Sequence, residues 1–197
     1  MLTLEPGKCF ASGILLLALA LIGCGGAPAP ISAPPPVQTA APVATVDPDA
    51  AFAPLPYTVD ELRKGCTEGR TITLIEEVPD KPPVKKRIRF MVVDDERATV
   101  VSDVLDEKDA PVGDPKTETA TWNELRHHAA YPKDATTVSD ATAETPAGTF
   151  PCKRYVVTDG DTKTTACFAT ELPGPPVEMS VEKGGKLVMS LTMLKSD

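Results

Sequence analysis

Five cysteines and two adjacent histidines hold most of the reactive chemistry this chain could offer. Cys152 and Cys167 flank Asp159-Gly160, a dipeptide that marks a tight β-hairpin when it stands between apolar runs. With Asp159 and Gly160 as the two loop residues, Thr158 pairs with Asp161. Cys152 then falls opposite Cys167, within bridging distance. A disulfide closing that loop of about 15 residues would stabilise by roughly 3 kcal/mol in the chain-entropy model. Cys66 is the alternative partner for either thiol, and one of the three is left over whichever pair forms. The set contains no Cys-x-x-Cys redox motif. His127 and His128 sit side by side on a helical stretch, about 100° apart around its axis, which does not suit joint chelation of one metal. A solvated pair is expected. With no Ser-His-Asp spacing and no Gly-rich phosphate loop, the sequence predicts neither an enzyme nor a metal or cofactor site. Lys85, Lys86, Arg87 and Arg89 form the one basic cluster, read as a solvated strand face paired with Glu76, Glu77, Asp94 and Asp95.

The remaining two cysteines lie at the N-terminus. Lys8 precedes an apolar run, Phe10–Ile22, of 13 residues. That run is too short to span a bilayer and suits the hydrophobic part of a signal peptide. It ends in Leu21-Ile22-Gly23-Cys24, which is similar to the bacterial lipobox. The resemblance implies that residues 1–23 are a signal peptide, removed together with Cys9. It also implies that the Cys24 thiol receives a diacylglycerol and that the new amine is acylated, with palmitate as the expected kind of chain. Two or three chains anchor a protein stably where one is marginal. Gly25, rather than aspartate, follows the anchor cysteine and points to the outer membrane, facing periplasm or cell surface.

Residues 24–56 follow as a linker. Gly25–Pro56 holds nine prolines, many alanines and almost no large apolar side chain. Such a segment cannot bury enough surface to offset its ordering entropy, and it is expected to be disordered. At about 3.1 Å per residue in extended polyproline II, it could reach on the order of 100 Å. Its expected role is to space the domain from the membrane.

Tyr57–Asp197 is then one globular domain. It holds 19 Lys and Arg against 25 Asp and Glu, a net of −6, which argues against nucleic acid as a partner. Thr58 with Glu61 and Thr121 with Glu124 are capping boxes that open two short helices, the first ending near Gly65 and the second near Tyr131-Pro132. Trp122, Leu125 and Ala129 share a face of the second. Strands are predicted over Arg70–Glu77, Val84–Val93 and Ala98–Leu105, with Thr136–Glu144 as an edge strand. The C-terminal end adds Cys152–Thr158, Lys163–Thr170, Val177–Glu182 and Lys186–Leu194. Gly184-Gly185 turns between the last two, and Pro173–Pro176 separates the hairpins. Asp106–Glu118, with Pro111, Gly113 and Pro115, reads as a long polar hairpin loop. The fold class is α+β, mostly β: one curved antiparallel sheet of about seven strands, with two short helices, the Trp122 helix packed on the sheet.

Thr145-Pro146-Ala147-Gly148-Thr149-Phe150-Pro151-Cys152-Lys153-Arg154-Tyr155, the break Leu172–Val177 and the final Gly-Gly hairpin resemble the C-terminal half of a group of bacterial lipoproteins with no established activity. Cys66-Thr67-Glu68-Gly69-Arg70 fits the same pattern. More distantly, the architecture resembles the lipoprotein-carrier superfamily of the LolA and LolB type, whose half-barrels hold acyl chains; that step is fold-level analogy. The resemblance carries over no catalytic residue.

Two functions follow as expectations. The first is a non-catalytic interaction or structural module of the cell envelope, held to the membrane by its lipid anchor and engaging a protein partner; it requires a filled core. The second is a carrier of a lipid or other apolar ligand. It requires a cavity beneath the Trp122 helix, with Phe90, Val92, Trp122, Tyr155 and Val157 facing the ligand. An aromatic content of 5% favours the first.

Overall fold

The computed structural model describes residues 48–197. The expected signal peptide, the expected lipidation site Cys24 and the expected linker as far as residue 47 lie outside the described residues. Two short helices, α1 (Val59–Gly65) and α2 (Trp122–His127), and one antiparallel sheet make up the domain. The strands are β1 (Thr71–Glu77), β2 (Val84–Val93), β3 (Arg97–Leu105), β4 (Pro111–Thr121), β5 (Thr136–Thr145), β6 (Gly148–Asp159), β7 (Thr162–Ala169), β8 (Glu178–Lys183) and β9 (Lys186–Ser196). Their spatial order is β4-β3-β2-β1-β9-β8-β7-β6-β5. Two meanders, β1–β4 and β5–β9, are thus joined edge to edge by the antiparallel β1–β9 pair.

Both helices start as their capping boxes predict. The Thr58 hydroxyl accepts from the Glu61 amide at 3.2 Å, and the Glu61 carboxylate accepts from the Thr58 amide at 2.7 Å. Thr121 and Glu124 repeat the arrangement at 3.2 and 2.7 Å. α2 ends at His127, a turn earlier than its apolar pattern suggests, although Ala129 beyond it is still buried. α1, α2 and the Pro173–Pro176 segment cover one face of the sheet, here the inner face. The core between them includes Leu62, Ile72, Phe90, Trp122, Phe168 and Met193.

Nine strands replace the expected seven or so, chiefly because Asp106–Glu118 is not a loop. Only Asp106–Ala110 turns; Pro111–Thr121 is an edge strand paired with β3. Every residue of β4 except Ala120 is exposed, so it has no apolar face to declare itself. Pro111 and Pro115 are tolerated because an edge strand has one side free of ladder bonds.

The described residues upstream of Tyr57 are also part of the domain. Residues 48–56, taken with the linker, form a strap along α2 and the turn that follows it. The Ala53 amide donates to the Tyr131 carbonyl at 2.9 Å and the Lys133 amide to the Ala51 carbonyl at 3.0 Å. Ala53 is buried. Asp49 pairs with Arg126 at 2.6 Å and with His127 at 2.9 Å.

The hairpin that opposes the two cysteines is shifted. Asp159 pairs with Thr162, so the loop is Gly160-Asp161, and Cys152 faces Ala169 while Cys167 faces Arg154. Gly160 takes a φ of +58°, the Gly-first pattern of a type II′ turn, in place of the Asp-Gly type I′ pattern. The slip of two places the cysteines on the same side of the sheet as diagonal neighbours. Cys66, Cys152 and Cys167 are free, buried thiols. Burial, and after it the neighbouring Cys167, pushes the Cys152 thiol up to about 12.

Candidate functional site: an apolar cavity under the second helix

A cavity of about 370 Å³ lies between the inner face and the helices. Its size falls within the roughly 300–1,000 Å³ range of small-molecule pockets. The β-meander on one side supplies Ile88, Phe90, Val100 and Ala120; the other side supplies Phe168, Met179 and Leu191. Met179 and Leu191 are cross-strand partners, so both project to the same face. Trp122, Leu125 and Ala129 form the α2 wall, Tyr57, Leu62 and Cys66 the α1 wall, and Gly174–Pro176 a further edge. Ser102, Glu118, Arg126 and His128 are the polar or charged side chains in the lining.

Trp122 is fixed as a wall rather than a mobile lid. Its ring is buried and its indole N–H donates to the Asp94 carbonyl at 2.9 Å. Tyr57 is held by its hydroxyl, which donates to the Ala169 carbonyl at 2.8 Å. Burial, and secondarily the nearby Cys66, raises the Tyr57 phenol well above its ordinary range. Burial likewise raises Tyr131 and the Cys66 thiol, the latter against the opposing pull of Arg70. These shifts all express one condition, a water-poor interior around the cavity.

Of the five expected ligand-facing residues, Phe90 and Trp122 line the cavity. Val92 does not. The β2–β3 register shifts between Phe90 and Val92, leaving Met91 as the extra residue. The alternation reverses there: Val92 is 56% exposed and Val93 packs on the core. Tyr155 is on the inner side but fully buried, packed on Tyr131 and Phe168, with its hydroxyl donating to the Pro54 carbonyl at 2.5 Å. It is core beside the cavity. Val157, half-buried and two residues along β6, is not in the lining. Cys24 lies outside the described residues.

The basic cluster is neutralised, though by partly different partners from those expected. Lys86 pairs with Glu76 at 2.6 Å and Lys85 with Asp109 at 2.5 Å. Arg87 and Arg89 both reach the buried Asp103 at 3.1 Å. The histidines diverge as their spacing dictates, but they are not the solvated pair expected: half-buried His127 turns to Asp49 and the Asn123 carbonyl, while exposed His128 borders the cavity. Among the described residues no group of three or more His, Cys, Asp or Glu is placed to hold a metal ion.

No protein-family model matches the chain. No curated protein matches it either. Among solved structures, one similar chain is described as an exported protein with a YmcC-like fold from Bacteroides fragilis. It shares 10% identity over 66% of this chain and 96% of that one, with a TM-score of 0.44. MucB shares 11% identity over 71% of this chain and 56% of its own, with a TM-score of 0.46. Likeness at this level carries no functional argument, and the resemblance to the lipoprotein group rests on its sequence motifs alone.

Proposed function

We propose that the domain is a non-catalytic binder or carrier of an apolar ligand, tethered in the cell envelope through Cys24. The cavity is the observation that supports this reading. A structural module requires a filled core, whereas this core stays open beneath α2 for about 370 Å³, walled mostly by apolar side chains. Apolar surface buried from water contributes about 25 cal/mol per Å², so a chain-like ligand gains affinity without specific contacts. The interaction reading keeps one support: β5, at the sheet edge, contains neither proline nor lysine to discourage strand addition.

The test is a titration of the full chain, carrying Cys24→Ser so that no acyl group is attached, with the neutral fluorophore N-phenyl-1-naphthylamine. Saturable one-to-one enhancement is expected, and Leu125→Trp, which fills the cavity from α2, is expected to abolish it. Equal enhancement by both proteins would contradict the proposal, as would none by the first. The tether has its own test. Radiolabelled palmitate should be incorporated into the wild-type chain and fractionate with membranes, and Cys24→Ser should remove both label and membrane association.

A further inference from the structure

Arg70 and Asp103 are the two charged residues among the described ones that are buried. Asp103 is compensated by two arginines. Arg70, 8% exposed, has no carboxylate partner among the described residues. Its Nη1 donates to neutral acceptors: the Gly65 carbonyl at 2.8 Å, the Cys66 sulfur at 3.6 Å and the Pro173 carbonyl. Its Nη2 is buried with no hydrogen-bond partner among the described residues. A buried guanidinium normally meets an anion, because the cost of taking its charge out of water is several kcal/mol unless paired.

This cation stands directly behind the cavity wall. Cys66, which accepts from Nη1, is a lining residue, and so is Gly174. A Cβ built on Gly174 would lie 3.6 Å from Nη1 and 3.7 Å from Nη2, so the guanidinium is next to bare backbone at that point. Gly174 has a φ of +147°, which an L side chain rarely adopts. An apolar cavity with an uncompensated cation behind one wall is complementary to a molecule that is apolar along its length and anionic at one end.

We propose that the ligand of this cavity is an amphiphile with a single anionic head group, a carboxylate or a phosphate monoester, seated toward Gly174 and countering the charge of Arg70. The inference rests on the apolar-binder reading and names the ligand class for the same site. The charge of a guanidinium suits both head groups. Arg70 is not itself in the cavity lining and its Nη1 is already bonded to protein acceptors, so its charge acts across the Gly174 backbone, with Nη2 the donor left unpaired among the described residues.

The experiment displaces N-phenyl-1-naphthylamine from the full chain carrying Cys24→Ser, using dodecanoate, dodecyl phosphate and dodecanol, which share one chain length. Dodecanoate or dodecyl phosphate is expected to displace the probe at concentrations lower than dodecanol by on the order of tenfold. Whichever anion is the stronger identifies the head group. Arg70→Gln should reduce that preference to near parity, and Arg70→Lys should keep part of it. Should Arg70→Gln fail to fold, the head-group comparison in the unsubstituted protein decides alone. Equal displacement by alcohol and both anions, with the probe bound, overturns the anionic-head proposal and leaves the apolar-binder reading standing. No probe binding at all overturns the apolar-binder reading itself.

Discussion

Individual side chains show where stability is concentrated and which of them sequence could identify. Trp122→Ala would remove a buried indole and its bond to Asp94. A loss of about 3–5 kcal/mol is expected in denaturant unfolding. Asp103→Asn would leave Arg87 and Arg89 without their shared anion, and a loss of roughly 1–3 kcal/mol is expected by the same measurement. Alkaline pH should weaken the fold. Burial raises Cys152 and Tyr155 to about 12 and lifts Tyr57 as well, so the native state holds these protons more tightly than the unfolded chain does. Their contribution is complete below the unfolded thiol value near 8.5 and falls as pH rises from there toward about 12. Denaturant midpoints measured across that window should decline. A flat profile would contradict the burial of these groups. Trp122 and Phe90 were legible as cavity residues because each stands on an apolar face of regular period. Val92 was not, because a bulge at Met91 reverses the alternation without any glycine or proline to announce it. The cysteine register departs from the Asp-Gly expectation for a similarly local reason: Gly160, not Asp159, opens the turn.

Elements were legible in proportion to how much apolar surface they bury. The capping boxes placed both helix starts, and β2 was bounded at Val84 and Val93 by its alternation and by the breaks on either side. β4 was invisible, since an exposed edge strand with two prolines carries the composition of a loop. The strap of residues 48–56 was hidden for the same reason, being proline- and alanine-rich in sequence like residues 25–47 before it. It nevertheless supplies the Pro54 carbonyl to the buried Tyr155 hydroxyl, and Pro56 to the cavity lining. A chain lacking residues 48–56 would leave that hydroxyl buried without its acceptor, at a cost of about 1–3 kcal/mol. Removing the strap should therefore lower the thermal midpoint and speed release of the cavity probe. A shortened chain that matches the full one in both would show that the strap is passive.

At the scale of the molecule, two meanders joined through β1 and β9 make a sheet too broad for two short helices to cover densely. Helices of seven and six residues shield it without filling the space beneath. The low aromatic content favours a filled core in the sequence, an expectation that the cavity overturns. Aliphatic side chains on many strands line the cavity beside a few rings. Because strand order joins distant segments, Met179 and Leu191 enter the site only once β8 and β9 are paired and laid against β1. On the proposed reading, one apolar molecule occupies this cavity. Native mass spectrometry of the full chain carrying Cys24→Ser, in excess dodecanoate, tests it directly. A single retained adduct in this protein and none when Leu125→Trp is added is the predicted result. No adduct, or the same ladder of adducts in both proteins, would contradict it.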